Sequence, residues 1–133
     1  MSSAGPYPSF AITVGYDAEV PCVVMTWQGY APSREFRDAN ERVLNVLVER
    51  GSSKLLGDVR EFVLIGQEDQ LWLANNWIPR AIAGGLRTAA LLTPSFYFNQ
   101  VAVRAVIQAL DPDRLSVRQF EDHDDARTWL TSA

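Results

Sequence analysis

Two periods of apolar and polar residues divide this chain into its elements. From Phe10 to Tyr16 the apolar residues Phe10, Ile12, Val14 and Tyr16 alternate with Ala11, Thr13 and Gly15, the period of two that a strand with one covered face requires. Asp17-Ala-Glu19 then turns the chain. Val20 to Trp27 is rich in β-branched and aromatic residues, and so short a connection predicts that it returns antiparallel as a hairpin. Pro21 has no amide hydrogen to donate, so it belongs near the start of that strand or on an unpaired side. Gly29-Tyr-Ala-Pro32 closes the hairpin, and Ser33 is placed to cap a helix with Glu35 in its first turn. Phe36, Ala39, Val43, Val46 and Leu47 share one face of this helix, Arg37, Asp38, Glu41 and Arg42 point outward, and Gly51 follows as the stop.

Beyond Gly51 strands and helices alternate. Lys54 to Asp58 predicts a strand that joins a parallel neighbour through a right-handed crossover. Phe62 to Ile65 is apolar and reads either as an extension of that strand or as a loop tucked over the core. Gln67 to Ile78 predicts a second helix ended by Pro79, because the residue before a proline is driven out of helical geometry. Gly84-Gly85 breaks the chain. Arg87 to Leu92 has no polar alternation and suits a central strand covered on both faces, with Pro94 after it. A third helix is predicted from Tyr97 to Leu110, apolar at Phe98, Val101, Ala102, Ala105, Val106 and Ala109, with Pro112 beyond it. Leu115 to Phe120 is the last strand, and Asp122 caps a closing helix in which Asp125 completes a capping-box-like pair and Ala126, Trp129 and Leu130 face inward. The order β-β-α-β-α-β-α-β-α predicts one α/β domain over residues 10–133 after a flexible N-terminus at 1–9. Its sheet is mixed and five-stranded, with an antiparallel N-terminal hairpin, the remaining strands parallel, and four helices.

Composition narrows the function classes. The 133 residues are 47% hydrophobic with a formal charge of -4, enough for one core. Eleven arginines and the single Lys54 are scattered among sixteen carboxylates, so no basic stripe exists for a phosphate backbone and nucleic acid is not an expected partner. Cys22 is the sole cysteine, which excludes an internal disulfide and a Cys-x-x-Cys site. No apolar run reaches the length of a membrane span and Met1 to Ser9 lacks the pattern of a signal peptide. The expected location is cytoplasmic.

Candidate chemistry centres on the end of the third strand and the helix after it, since α/β sheets usually present ligand sites at the carboxyl ends of their strands. Asp58 and Arg60 fall on one side of an extended chain and can pair with each other or receive an anionic ligand; the pair is the preferred reading. Trp72 and Trp77, with Trp27, can line an aromatic pocket, although aromatic residues at helical spacing are more often core. Glu68 and Asp69 suit the positive end of a helix dipole. His123 lies among Glu121, Asp122, Asp124 and Asp125, and a solvated helix start explains that cluster better than a base or a metal site. Cys22 reads as a small buried hydrophobe. Nothing here supplies a nucleophile with an oriented base, so no catalytic residue, metal site or cofactor is assigned.

Trp27-Gln-Gly29, Lys54-Leu-Leu-Gly-Asp58-Val-Arg60, Glu68-Asp69, Trp77-Ile-Pro79 and the ending Phe120-Glu-Asp-His-Asp-Asp-Ala-Arg-Thr-Trp129-Leu130 together resemble the SpoIIAA-like family of small bacterial proteins, also described as STAS/SEC14-type domains. The resemblance spans Phe10 to Leu130 and implies a mixed five-stranded sheet with helices packed against it. In the anti-sigma-factor antagonists a phosphorylated serine follows the strand ending in the aspartate that Asp58 matches. Residues 59–69 of this chain contain no Ser or Thr, so no phosphorylation site is carried over. The SEC14 side implies a lipid or other apolar ligand held against the sheet, in a shallow groove or one completed by a second subunit. The expected function is therefore a non-enzymatic binding or regulatory module for a small apolar or lipid-like anionic ligand, with Asp58, Arg60, Trp72, Trp77 and Trp27 as its site. The alternative is a STAS-type protein-interaction domain without a phosphoserine switch, acting on a protein partner. Tyr7, Phe10, Phe62, Trp72, Trp77, Phe96, Tyr97 and Phe98 are many large apolar groups for so small a domain to hide, and a homodimer is expected to cover some of them.

Overall fold

The computed structural model describes residues 10–63 and 65–133. Residues 1–9, expected to be a flexible lead-in and including Tyr7, lie outside the described residues. The alternating segment forms β1 (Ala11–Asp17), which pairs antiparallel with β2 (Cys22–Gly29). Pro21 precedes β2, after a cis Val20–Pro21 peptide bond. Helix α1 (Ser33–Arg50) ends in Gly51, whose left-handed backbone lets Gly51 and Ser52 donate back to the Val48 and Leu47 carbonyls. Strand β3 (Lys54–Phe62) follows. The ambiguous Phe62 to Ile65 stretch divides: Phe62 closes the strand and Ile65 is a buried loop residue.

The next helical segment is continuous from Gln67 to Ala83, in three parts: α2 (Gln67–Trp72), a π-helical turn (Leu73–Trp77) and α3 (Ile78–Ala83). Pro79 was expected to end it and does not. The π turn delivers Pro79 to the start of a new α-helical segment, where a missing N–H costs little. Strand β4 (Thr88–Leu92), helix α4 (Tyr97–Gln108), strand β5 (Ser116–Phe120) and helix α5 (His123–Ser132) complete the chain. Counted by continuous segments, the helices among the described residues number four.

The five strands lie in chain order, β1-β2-β3-β4-β5, and every pair after the hairpin is parallel. The two faces of the sheet build two separate cores. Val23, Met25, Trp27, Leu55, Val59 and Ala89 pack with α1, α3 and α4. Cys22, Leu56, Ala90 and Leu92 meet Ala126 and Leu130 of α5, and Lys54 Nζ donates to the Leu130 carbonyl at 2.6 Å. Among the described residues, three helical connections therefore crowd one face and α5 alone covers the other. Asp122 caps α5 as expected, accepting from the Asp125 amide at 3.3 Å.

Two local expectations change. Ser33 does not cap α1: the helix starts from Pro32, and the Ser33 hydroxyl donates to Asp69 Oδ1 at 2.8 Å. Helix α4 turns a different stripe inward from the one its apolar residues suggested. Asn99, Ala102 and Val103 are buried, whereas Phe98, Val101, Ala105 and Ala109 are exposed. Apolar groups on several sides leave the rotation of such a helix open, and here Asn99 settles it. Its Nδ2 donates to the Phe62 carbonyl at 2.9 Å and its Oδ1 accepts from the Ile65 amide at 3.1 Å, and a buried amide must find such partners.

Candidate functional site: an apolar cavity under the helices

Between the sheet and its helix-covered face lies a cavity of about 110 Å³. Met25 and Trp27 of β2, Leu55 and Val59 of β3, and Ala89 and Leu91 of β4 form its floor. Phe36 and Asn40 of α1, Leu73 and Trp77 of the π turn, and Val103, Val106 and Ile107 of α4 form its roof. The SEC14-like resemblance implied a shallow groove or a second subunit. Here α1, the π turn and α4, all drawn to one face, roof a partly open cavity.

A β-bulge shapes its aromatic end. The β2–β3 register runs Thr26 opposite Asp58 and then Gln28 opposite Glu61, so β3 carries one extra residue beside Trp27. Such a residue reverses which face later side chains meet. Leu56 faces α5, yet Phe62, an even number of residues on, joins the core on the opposite face. There Phe62 sits 4.8 Å from the Trp27 ring and Phe36 sits 5.1 Å from it, both tilted, a favoured arrangement for aromatic pairs.

The roof is tied down by polar contacts that apolar patterning does not reveal. Asp69, 7% exposed, accepts from the Ser33 hydroxyl and from Arg37 Nε at 3.0 Å, which joins the start of α2 to the start of α1. The helix dipole alone therefore does not account for Asp69. Arg37 also lies over the Trp72 ring at 5.3 Å. Trp77 Nε1 donates to the Asn40 carbonyl at 2.7 Å, fixing the π turn to α1. A buried asparagine in an apolar helix face is the signal that could have found the tie at Asn99, whereas at Asn40 the contact is made by the backbone carbonyl and the sequence carries no such signal.

The five candidate residues occupy three places. Trp27 and Trp77 are buried and line the cavity. Trp72 is half-buried and meets the edge of Phe36 at 6.3 Å. Asp58 and Arg60 lie away from the cavity, near the start of α5, where they sense the charges of His123 and Asp122 respectively. The strand order contains no reversal, so the sheet has no switch-point crevice at their end. Among the described residues no group of His, Cys, Asp and Glu is placed to hold a metal ion. Cys22 is fully buried, and burial pushes its thiol up to about 11, which keeps it protonated at neutral pH.

Asp58 and Arg60 satisfy each other. Arg60 donates from Nε to Oδ1 at 3.0 Å and from Nη2 to Oδ2 at 2.8 Å, the bidentate form of the pair. Burial pushes the Asp58 carboxyl up, but the hydrogen bonds from the Arg60 side chain and amide, with its charge, outweigh that and hold it below its ordinary value. A carboxyl depressed in the folded state contributes stability above its unfolded pKa and loses it as pH falls through the folded one. Arg60→Ala is expected to lower stability at neutral pH by about 1 kcal/mol, since the guanidinium is half exposed. The gap between the two proteins should narrow below about pH 4. Urea titrations at neutral and acidic pH check this; a gap that persists in acid would contradict it.

No protein-family model matches the chain, and no curated protein matches it. Solved structures do. One is an uncharacterised protein of the DUF3478 family from Shewanella loihica PV-4, described as having a SpoIIAA-like fold; it superposes with a TM-score of 0.64 at 16% identity, over 98% of this chain and 99% of that one. At that identity the likeness concerns the fold. With the sheet and helices described above, it shows that this chain has a SpoIIAA-like α/β fold.

Proposed function

We propose that this chain is a non-enzymatic binding module that holds a small apolar molecule between its sheet and the helices α1, the π turn and α4. One observation carries the reading: a cavity of about 110 Å³ whose wall exposes apolar atoms only. A well-packed core leaves few voids larger than a water molecule, and an apolar cavity of roughly 150 Å³ takes up benzene. A long acyl chain does not fit this volume, and Arg60, the residue expected to meet an anionic head group, faces α5. The ligand that suits the site is compact and apolar. Gly57 supplies the control: a Cβ there would lie 2.7 Å from the end of Leu91 and 2.8 Å from the end of Met25. Both are flexible side chains of the cavity floor, so Gly57→Ala pushes them into the open space. Benzene at about three times its dissociation constant should raise the melting temperature of the parent by about 3 °C and raise that of Gly57→Ala by less. An unchanged parent melt, or equal shifts in a variant with native circular dichroism, would contradict the reading.

A second reading, an interaction domain that pairs with a copy of itself, rests on a different surface. Leu71 of α2, and Phe96, Tyr97, Phe98 and Val101 at the start of α4, are exposed, Tyr97 by 69% and Phe98 by 74%. Large apolar groups gathered at one end of a helix suit a twofold contact. Light scattering at high micromolar concentration should then give a dimer mass that Phe98→Glu reduces to the monomer; a monomeric parent removes this reading.

A further inference from the structure

The cavity wall offers no charge, but one of its rings, Trp27, carries an unused donor, a nitrogen that lies behind the apolar wall and does not itself border the open space. Trp27 is 2% exposed, and its Nε1–H has no hydrogen-bond partner among the described residues. The two indole nitrogens of the cavity behave differently: Trp77 donates a hydrogen bond to the Asn40 carbonyl, while Trp27, among the described residues, has Phe36 and Phe62 as ring neighbours. A buried donor without an acceptor is costly to leave so. A water molecule is a poor solution, because a bound water needs two to four polar partners and this wall exposes apolar atoms only. Asn40, the one polar residue at the wall, already donates from Nδ2 to the Phe36 carbonyl at 2.9 Å.

We infer that the molecule held in the cavity is uncharged, about the size of a five- or six-membered carbon ring, and carries one hydrogen-bond acceptor, a ketone, aldehyde or ether oxygen, which takes the Trp27 Nε1–H after a small tilt of the indole. This rests on the ligand cavity proposed above and adds the chemical class of its occupant. An anion of the same size is excluded by the wall, where a carboxylate would lose its hydration and meet no cation. Trp27 is thus the specificity residue of the site and the aromatic cluster positions it.

Three probes of about six non-hydrogen atoms each separate the possibilities: cyclopentanone, methylenecyclopentane of nearly the same shape without the acceptor, and butyrate. Proton–nitrogen NMR of the full chain reads the four tryptophan indole signals, with Trp27 assigned by its disappearance in Trp27→Phe. Cyclopentanone should move the Trp27 indole proton downfield and bind about tenfold tighter than methylenecyclopentane, the effect of one satisfied buried donor, while butyrate leaves the signal in place. In Trp27→Phe the preference should vanish or reverse toward the alkene, because a ketone oxygen buried without a donor gives up its hydration. Equal affinity of the ketone and the alkene for the parent, or an unmoved Trp27 signal on ketone binding, overturns the acceptor inference and leaves the apolar-ligand reading intact. Binding of neither neutral probe overturns both, and preferential binding of butyrate overturns the uncharged class. The shift in the parent protein decides the matter even if Trp27→Phe does not fold.

Discussion

Every parallel connection in this fold returns to the neighbouring strand, and since a right-handed crossover always lays its helix on the same side of the sheet, strand order in sequence forces all three connecting helices onto one face. The rest of the architecture depends on that crowding. One face receives α1, the α2–α3 segment and α4, which must share the surface of five strands, and among the described residues the other receives only α5. Strands β3 and β4 are consequently apolar on both sides, with Leu55 and Ala89 turned to the first layer and Leu56 and Ala90 to the second. Where the three helices fail to fill the space over β2, β3 and β4, the cavity remains.

Apolar side chains alone do not hold the crowded layer in register. Helix α2 is joined to α1 through Asp69, Ser33 and Arg37, the π turn to α1 through Trp77 and Asn40, and α4 to the loop after β3 through Asn99. Each is a buried or half-buried polar group whose partner lies more than thirty residues away. Such contacts are costly to break singly, because the surviving partner is left buried and unpaired. They tie the helical roof of the cavity together. The ring of Trp27 lies under that roof with its donor unused.

Strand positions and directions were legible in the sequence because they rest on local signals: the two-residue period of Phe10 to Tyr16, the apolar run at Ala89 to Leu92, and Gly51 behind α1. Features set by distant partners were not. Ser33 looks like a cap locally, and only the arrival of Asp69 from another helix diverts its hydroxyl. Pro79 looks like a stop, and only a widened turn before it lets the helix continue. The stripe of α4 was misplaced because Phe98, Val101 and Ala105 are apolar yet face outward, while polar Asn99 points in. Likewise Trp27 and Trp77 could be named as pocket candidates from composition, but the bulge that turns Phe62 toward Trp27, and the cavity itself, arise from pairing between strands that no single stretch encodes.

The central claim is that the space over the sheet is dry and open to an apolar occupant. Xenon tests this most directly, since it enters apolar cavities without a polar contact. Diffraction from a crystal held under xenon should show the atom between Met25, Trp27, Val103 and Ile107, under the π turn. A xenon-pressurised crystal with no density there, or with ordered water in its place, would contradict the account.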